Sequence, residues 1–177
     1  MLHPDREVAK DDGLRSSEPL TLFQKRLGGL LMKIETFRFG WLDVDQEDVI
    51  RFPEGLVGLS RLTRFVLVHD DGASDLYWLQ SLDQGEFALA LVTNAKLQSP
   101  VAFDGEDVDL SALQLDHPED AEILLVLNRV DGDFTANLKG PIVINPAKSL
   151  GKQVVLRDAR FDVRHPLRAA KPALVTA

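Results

Sequence analysis

The chain has 177 residues, a formal net charge of −8 and no cysteine, which allows one sizeable core and excludes a disulfide framework, a thiolate nucleophile and a cysteine-based zinc site. No apolar run approaches the roughly 20 residues of a membrane-spanning helix, and the first residues mix polar and charged side chains instead of forming a signal peptide, so the cytoplasm is the expected location. Charge is unevenly placed: residues 1–31 balance five basic against five acidic side chains, residues 32–147 carry eight Lys or Arg against 21 Asp or Glu, and residues 148–177 sum to +5. An acidic body is a poor start for direct nucleic-acid binding, which begins with cations that displace counterions, and it suits basic protein surfaces instead.

In chain order, "MLHPDREVAKDDGLRSSEPL" lacks periodicity and reads as a disordered extension. The stretch "LTLFQKRLGGLL" places Leu20, Phe23, Leu27 and Leu30 on one face of a short helix that Gly28-Gly29 weakens. Met32 opens the strand "MKIETFRFGWLDV", and a methionine at that boundary suggests an upstream extension over residues 1–31. From there the punctuation is that of a β protein. "VIRFP" stops at Pro53, "RFVLVHD" runs into the loop "DGASD", and "LYWLQSL" and "FALALVTN" are joined across Asp83-Gln84-Gly85. "EILLVLNRV" turns at Asp131-Gly132, a dipeptide suited to a tight hairpin, into "DFTANL". "PIVIN" and "KQVVLRD" close the run. Roughly nine short strands with one or two short helices, of which "EDVDLSALQL" is the candidate in the body, predict a mainly β, single-domain fold: a small antiparallel barrel or sandwich over residues 32–157, followed by a basic C-terminal tail over 158–177.

The stretch "NLKGPIVINPAKSLGKQVVL" has a structural explanation. Pro141 and Pro146 bracket "IVIN" and confine it to a short strand, Asn137 and Asn145 cap strand ends, and Gly140 and Gly151 supply turns.

Catalytic patterns are weak. His3, His69, His117 and His165 are dispersed with no i, i+4 pair, so no metal site is signalled. "DGEDVD", residues 104–109, has the outline of a calcium loop but places Val108 and Asp109 where a ligand and the turn glycine belong. No GxSxG, GxxxxGK[ST] or GxGxxG is present, so no cofactor is announced. What remains is surface charge: from Asp104 to Glu122 the chain holds eight acidic residues and no basic one, interleaved with Val108, Leu110, Leu113 and Leu115. Asp104, Glu106, Asp107 and Asp109 are the candidate partner-binding residues, on the argument that carboxylates steer a basic partner and apolar contact holds it. The plainer reading is a solvated loop whose leucines belong to the core.

Four ordered motifs resemble the flagellar assembly factor FliW family: "IRFPEGLVGLSRLTRFVLV", "YWLQSLDQGEFALALV", "HPEDAEILLVL", and "NLKGPIVIN" with "GKQVVL" after it. The similarity spans Met32 to about Arg157 and departs from the family pattern at Val57, Leu59 and Gly140, all at turns. It implies a β-barrel-like body and a protein-binding regulator rather than an enzyme: a cytoplasmic, chaperone-like partner of flagellin that also antagonises the translational repressor CsrA by direct binding. Two alternatives come from other classes. One is a barrel that binds a small ligand or hydrolyses it, with Tyr77, Trp78 and His69 lining its mouth, although core packing accounts for the two aromatics. The other is a structural oligomerisation domain.

Overall fold

The computed structural model describes residues 30–70, 75–97, 100–102 and 108–167. A two-stranded hairpin, β1 (Leu31–Thr36) and β2 (Gly40–Asp45), comes first. Then follow β3 (Ile50–Arg51), β4 (Arg64–His69), β5 (Leu76–Ser81), β6 (Ala88–Thr93), β7 (Glu122–Val130), β8 (Asp133–Asn145), β9 (Leu150–Gln153) and β10 (His165–Pro166). Strands β3 to β9 pair in sequence order except at the seam, where β9 joins both β8 and β3, so seven strands close into a barrel. All these pairings are antiparallel except the closing one, the parallel contact of Arg51 with Leu150, held by a hydrogen bond from Arg51 N to Ser149 O of 2.9 Å. The only helices among the described residues are 3₁₀ turns, including Ser111–Leu113 inside the segment read as helical.

Alternation along the strands sorts side chains between the interior and two outer pads. Inward from β3 to β8, Ile50, Phe65, Leu79, Leu91, Leu124, Ile142 and Ile144 are all 0 % exposed and join Phe52, so the barrel is filled by its own side chains. The intervening residues face outward: Val66 takes the β1–β2 hairpin on one wall, and Val92, Leu125 and Val143 take the β6–β7 connection and the C-terminal segment on another. Gly151 is not in a turn. It lies in β9, where a Cβ would land on the Phe52 ring, so glycine there is required by close packing.

Pro141 does not end a strand either. "DFTANL" and "PIVIN" are one strand, β8, which spans 13 residues. The register with β7 jumps from Leu124–Ile142 to Val126–Asn137, leaving extra residues on β8. Pro141 falls in this bulge, where the ladder asks it for no N–H, while its carbonyl accepts from Val154 N at 2.9 Å. Asn137 lies at the same bulge and accepts from Lys139 N at 3.0 Å. Gly140 sits there too, its Cβ position pressed between the Asn137 and Gln153 amides. The turn at Asp131-Gly132 is as expected, with φ of 52° and 97°.

The body also runs past Arg157. Leu138 N donates to Asp162 O (2.8 Å), Leu167 N to Phe134 O (3.0 Å), β10 pairs with β8, and Phe161 and Leu167 pack on the second outer pad. Residues 158–167 are therefore tied to the barrel by the two-residue strand β10 and the half-buried Phe161 and Leu167, because the long β8 offers an edge that β9 does not fill. Strand β1 begins at Leu31. The expected extension and helix over 1–29, and the far end of the expected tail over 168–177, lie outside the described residues.

Candidate functional site

The β6–β7 connection crosses the outer wall of the barrel and carries the acidic run. Two asparagines fix it. Asn94 accepts from Val101 N (2.8 Å) and donates to Val101 O (2.7 Å). Asn145, 2 % exposed, donates through Nδ2 to Leu113 O (2.9 Å) and Gln114 O (3.3 Å), and its Oδ1 accepts from Ala147 N (3.1 Å). These bonds hold the Ser111–Leu113 turn down, with Leu113 buried as its anchor and Gln114 in a left-handed conformation at its end. Lys148 Nζ adds bonds to Gln114 O (2.6 Å) and Asp116 Oδ1 (3.2 Å).

Beside the anchored turn lies an open apolar groove of about 520 Å³, walled by Val101, Leu110, Leu115, Pro118, Ala121 and Ile123. Asp109, Asp116, Glu119 and Asp120 are exposed next to these wall residues in the chain. Of the four carboxylates expected to bind a partner, Asp104, Glu106 and Asp107 lie outside the described residues. Asp109 is exposed, but it also accepts from Ser111 N (2.9 Å), and hydrogen bonds from the Ser111 hydroxyl and backbone hold its carboxyl below the usual range. Asp116, Glu119 and Asp120 belong to the same acidic run and are brought to the groove with it; only the fold shows that they stand beside an apolar surface. Of the leucines in the run, Leu113 is core, whereas Leu110 and Leu115 are half-buried in the groove wall.

Of the three residues weighed for a barrel mouth, His69 and Tyr77 are neighbours and Trp78 lies on the opposite face of β5. Tyr77 points into the filled interior, and burial first, then the charges of Asp75 and Glu122, raises its hydroxyl pKa. His69 is exposed and its ring stands 5.0 Å from that of Tyr77. Trp78 alternates to the outer wall, donates Nε1 to Asp70 Oδ2 (3.1 Å), and lies under the Arg38 guanidinium, 3.4 Å from its ring centre. Glu122, half-buried at the start of β7, has its carboxyl pushed up by burial. Among the described residues no three His, Asp or Glu side chains gather as a metal site, and no helix is long and apolar enough to cross a membrane.

The family model described as "FliW protein" matches residues 33–167, a span that covers the barrel, most of the hairpin and β10. The chain belongs to the FliW family. Relatives named "Flagellar assembly factor FliW" include those of Natranaerobius thermophilus, 33 % identical over 77 % of this chain and 92 % of its own length, and Syntrophus aciditrophicus, 35 % identical over 77 % and 87 %. A crystal structure of the flagellar assembly factor FliW superposes with a TM-score of 0.70 at 30 % identity, covering 79 % of this chain and 99 % of that one.

The motifs that carry the FliW resemblance do structural work. In "FPEGLVGL", Gly55 (φ +68°) has no room for a Cβ against Ser60 and Leu59, and Gly58 (φ +77°) turns the chain so that Leu56 and Leu59 pair. In "WLQS", the buried Gln80 donates to the Ser81, Gly85 and Phe87 carbonyls, and Ser81 Oγ accepts from Asp83 N and Gln84 N. This shapes the β5–β6 loop, which runs from Leu82 to Phe87 and is longer than the three residues expected. A Cβ on its Gly85 would strike the Glu35 carbonyl, so the loop packs directly against β1.

Proposed function

We propose that this chain is a flagellar assembly factor that acts by protein–protein binding in the cytoplasm: it holds flagellin as a chaperone-like partner and, when free of it, binds and antagonises the translational repressor CsrA, thereby coupling flagellin synthesis to export. Membership of a family whose curated members are named flagellar assembly factors supports the assembly role. The observation that carries a binding rather than a catalytic reading is the anchored apolar groove with exposed carboxylates beside it, set on a barrel whose interior is filled. Apolar walls supply the desolvation that holds a partner, and the carboxylates supply long-range attraction to a basic one.

The test is binding of the purified full chain to CsrA and to flagellin, for the wild type and for D109N/D116N/E119Q/D120N. Amides keep the acceptors used at Ser111 N and His117 N while removing four charges. The CsrA association rate at low salt should fall on the order of tenfold and lose its salt dependence, with flagellin affinity changed less. Unchanged rates across low and moderate salt would place the docking face elsewhere, and no binding to either protein would sink the reading.

A further inference from the structure

The barrel wall is parted between β6 and β7. Their ladder covers three pairs, Leu91–Val126, Val92–Leu125 and Thr93–Leu124. Beyond Leu91 the strands diverge: among the described residues β6 continues to Ala88 paired only with β5, and β7 continues to Val130 paired only with β8. The turn geometry shows which groups face the gap. Val130 and Asp133 flank a two-residue loop and so form a hydrogen-bonded pair. Bonding alternates along an antiparallel strand, so Asn128 also turns its N–H and C=O to β8, and Leu127 and Arg129 turn theirs to the β6 side; the Leu91–Val126 pair uses the Leu127 N–H on Ala90 O, which leaves the Leu127 C=O and both Arg129 groups facing the gap.

We propose that this β7 edge is a strand-addition site, taking an extended segment of a basic protein partner beside Leu127–Val130. Backbone donors and acceptors with no strand partner among the described residues are complementary to one thing, the edge of another strand. Side chains are placed to grip it: Phe87, Leu89 and Val126 lie half-buried on the inner side of the gap, and Leu127 and the 55 % exposed Phe134 on the outer side. Charge selects the occupant, since among the described residues Glu86, Asp131 and Asp133 are exposed around the gap against the cation Arg129, whose guanidinium lies 5.8 Å from the Phe134 ring centre. This site deepens the CsrA-binding reading above and rests on it.

The probes are purified CsrA and the full chain. Hydrogen exchange at the Arg129 amide should slow on the order of tenfold or more in the complex, as for a newly bonded strand amide, with Leu127, already bonded to β6, as the internal reference. Arg129→Pro removes an outward N–H without touching the β8 ladder. Its CsrA affinity should fall on the order of tenfold, whereas Arg129→Ala, which keeps the backbone donor, should stay within about threefold. Should Arg129→Pro fail to fold, the exchange result on the wild type decides alone. Binding of CsrA without that protection overturns the edge site and leaves the functional reading standing; no binding of CsrA by the wild type overturns both. A wild-type dimer that Arg129→Pro converts to monomer would overturn the proposal in favour of a second copy of this chain at the same edge.

Discussion

Two carboxyl groups show how local environment sets the sign of an effect. At Asp83, burial alone would raise the pKa, but hydrogen bonds from Thr63 N (2.7 Å), Arg64 N (2.9 Å) and Arg64 Nε (2.7 Å) outweigh it, and the net shift is downward. Its folded pKa lies below the unfolded one, so its stabilisation is present above the ordinary value of 3.8 and is lost as pH falls through the folded value. Glu122 is the opposite case: burial raises its pKa, so the stability linked to it is full below the ordinary 4.5 and is lost as pH rises through the folded value. Glu122→Gln should therefore stabilise the protein at pH 7 and make little difference at pH 4. Asp83→Asn should destabilise at pH 7, with the deficit shrinking below about pH 3.8. Urea titrations at several pH values read both, and a Glu122→Gln gain that persists at pH 4 would mean that charge burial is not its cause.

At the scale of elements, the β1–β2 hairpin is a separate sheet that packs Val44, Ile34 and Leu42 on Val66, Val68 and Leu82 of the barrel wall and is pinned there at its tip. Arg38 covers Trp78, Phe39 meets the same indole edge-on at 6.4 Å, and Phe37 N donates to Gly85 O at 3.1 Å. Arg38→Ala removes a cation–π contact worth about 0.5–1 kcal/mol. The expected result is faster hydrogen exchange over residues 31–45 and a red-shifted Trp78 emission, with barrel amides such as Leu91 and Leu124 unchanged. If exchange accelerates throughout the barrel, the hairpin folds as one unit with it. The strands themselves were legible in the sequence, because period-two alternation and Gly or Pro punctuation are local signals. The merger of "DFTANL" with "PIVIN" was not: whether a proline ends a strand or sits in a bulge depends on the register of its neighbour, and nothing near Pro141 in the chain reports the register of β7.

For the whole molecule, stability rests on one filled interior into which seven strands converge. Ile144 is 0 % exposed, faces that interior from β8 and pairs with both Glu122 and Gly151. Ile144→Asp would bury a carboxylate without a partner, a cost of several kcal/mol against a total of about 5–15 kcal/mol, so the variant should be unfolded by circular dichroism at 25 °C. A soluble, folded Ile144→Asp protein would show that β8 can slip its register.

Composition, alternation and four ordered motifs were enough to settle from sequence that this is a mainly β FliW-family chain, because those features depend on residues close together in the chain or on motif order alone. The acidity of the β6–β7 connection was equally legible as a count. Tertiary structure decided what that count sits beside: Asn94 and Asn145 pull the connection onto the outer wall, and only then do Leu110, Leu115 and Ile123 become one groove with Asp116, Glu119 and Asp120 at hand. It also decided the role of Gly151, which serves Phe52 about a hundred residues away, and the parting of β6 from β7. Each of these is a contact between distant segments, fixed by how a closed barrel shares its limited wall among its strands and not by any local preference of the chain.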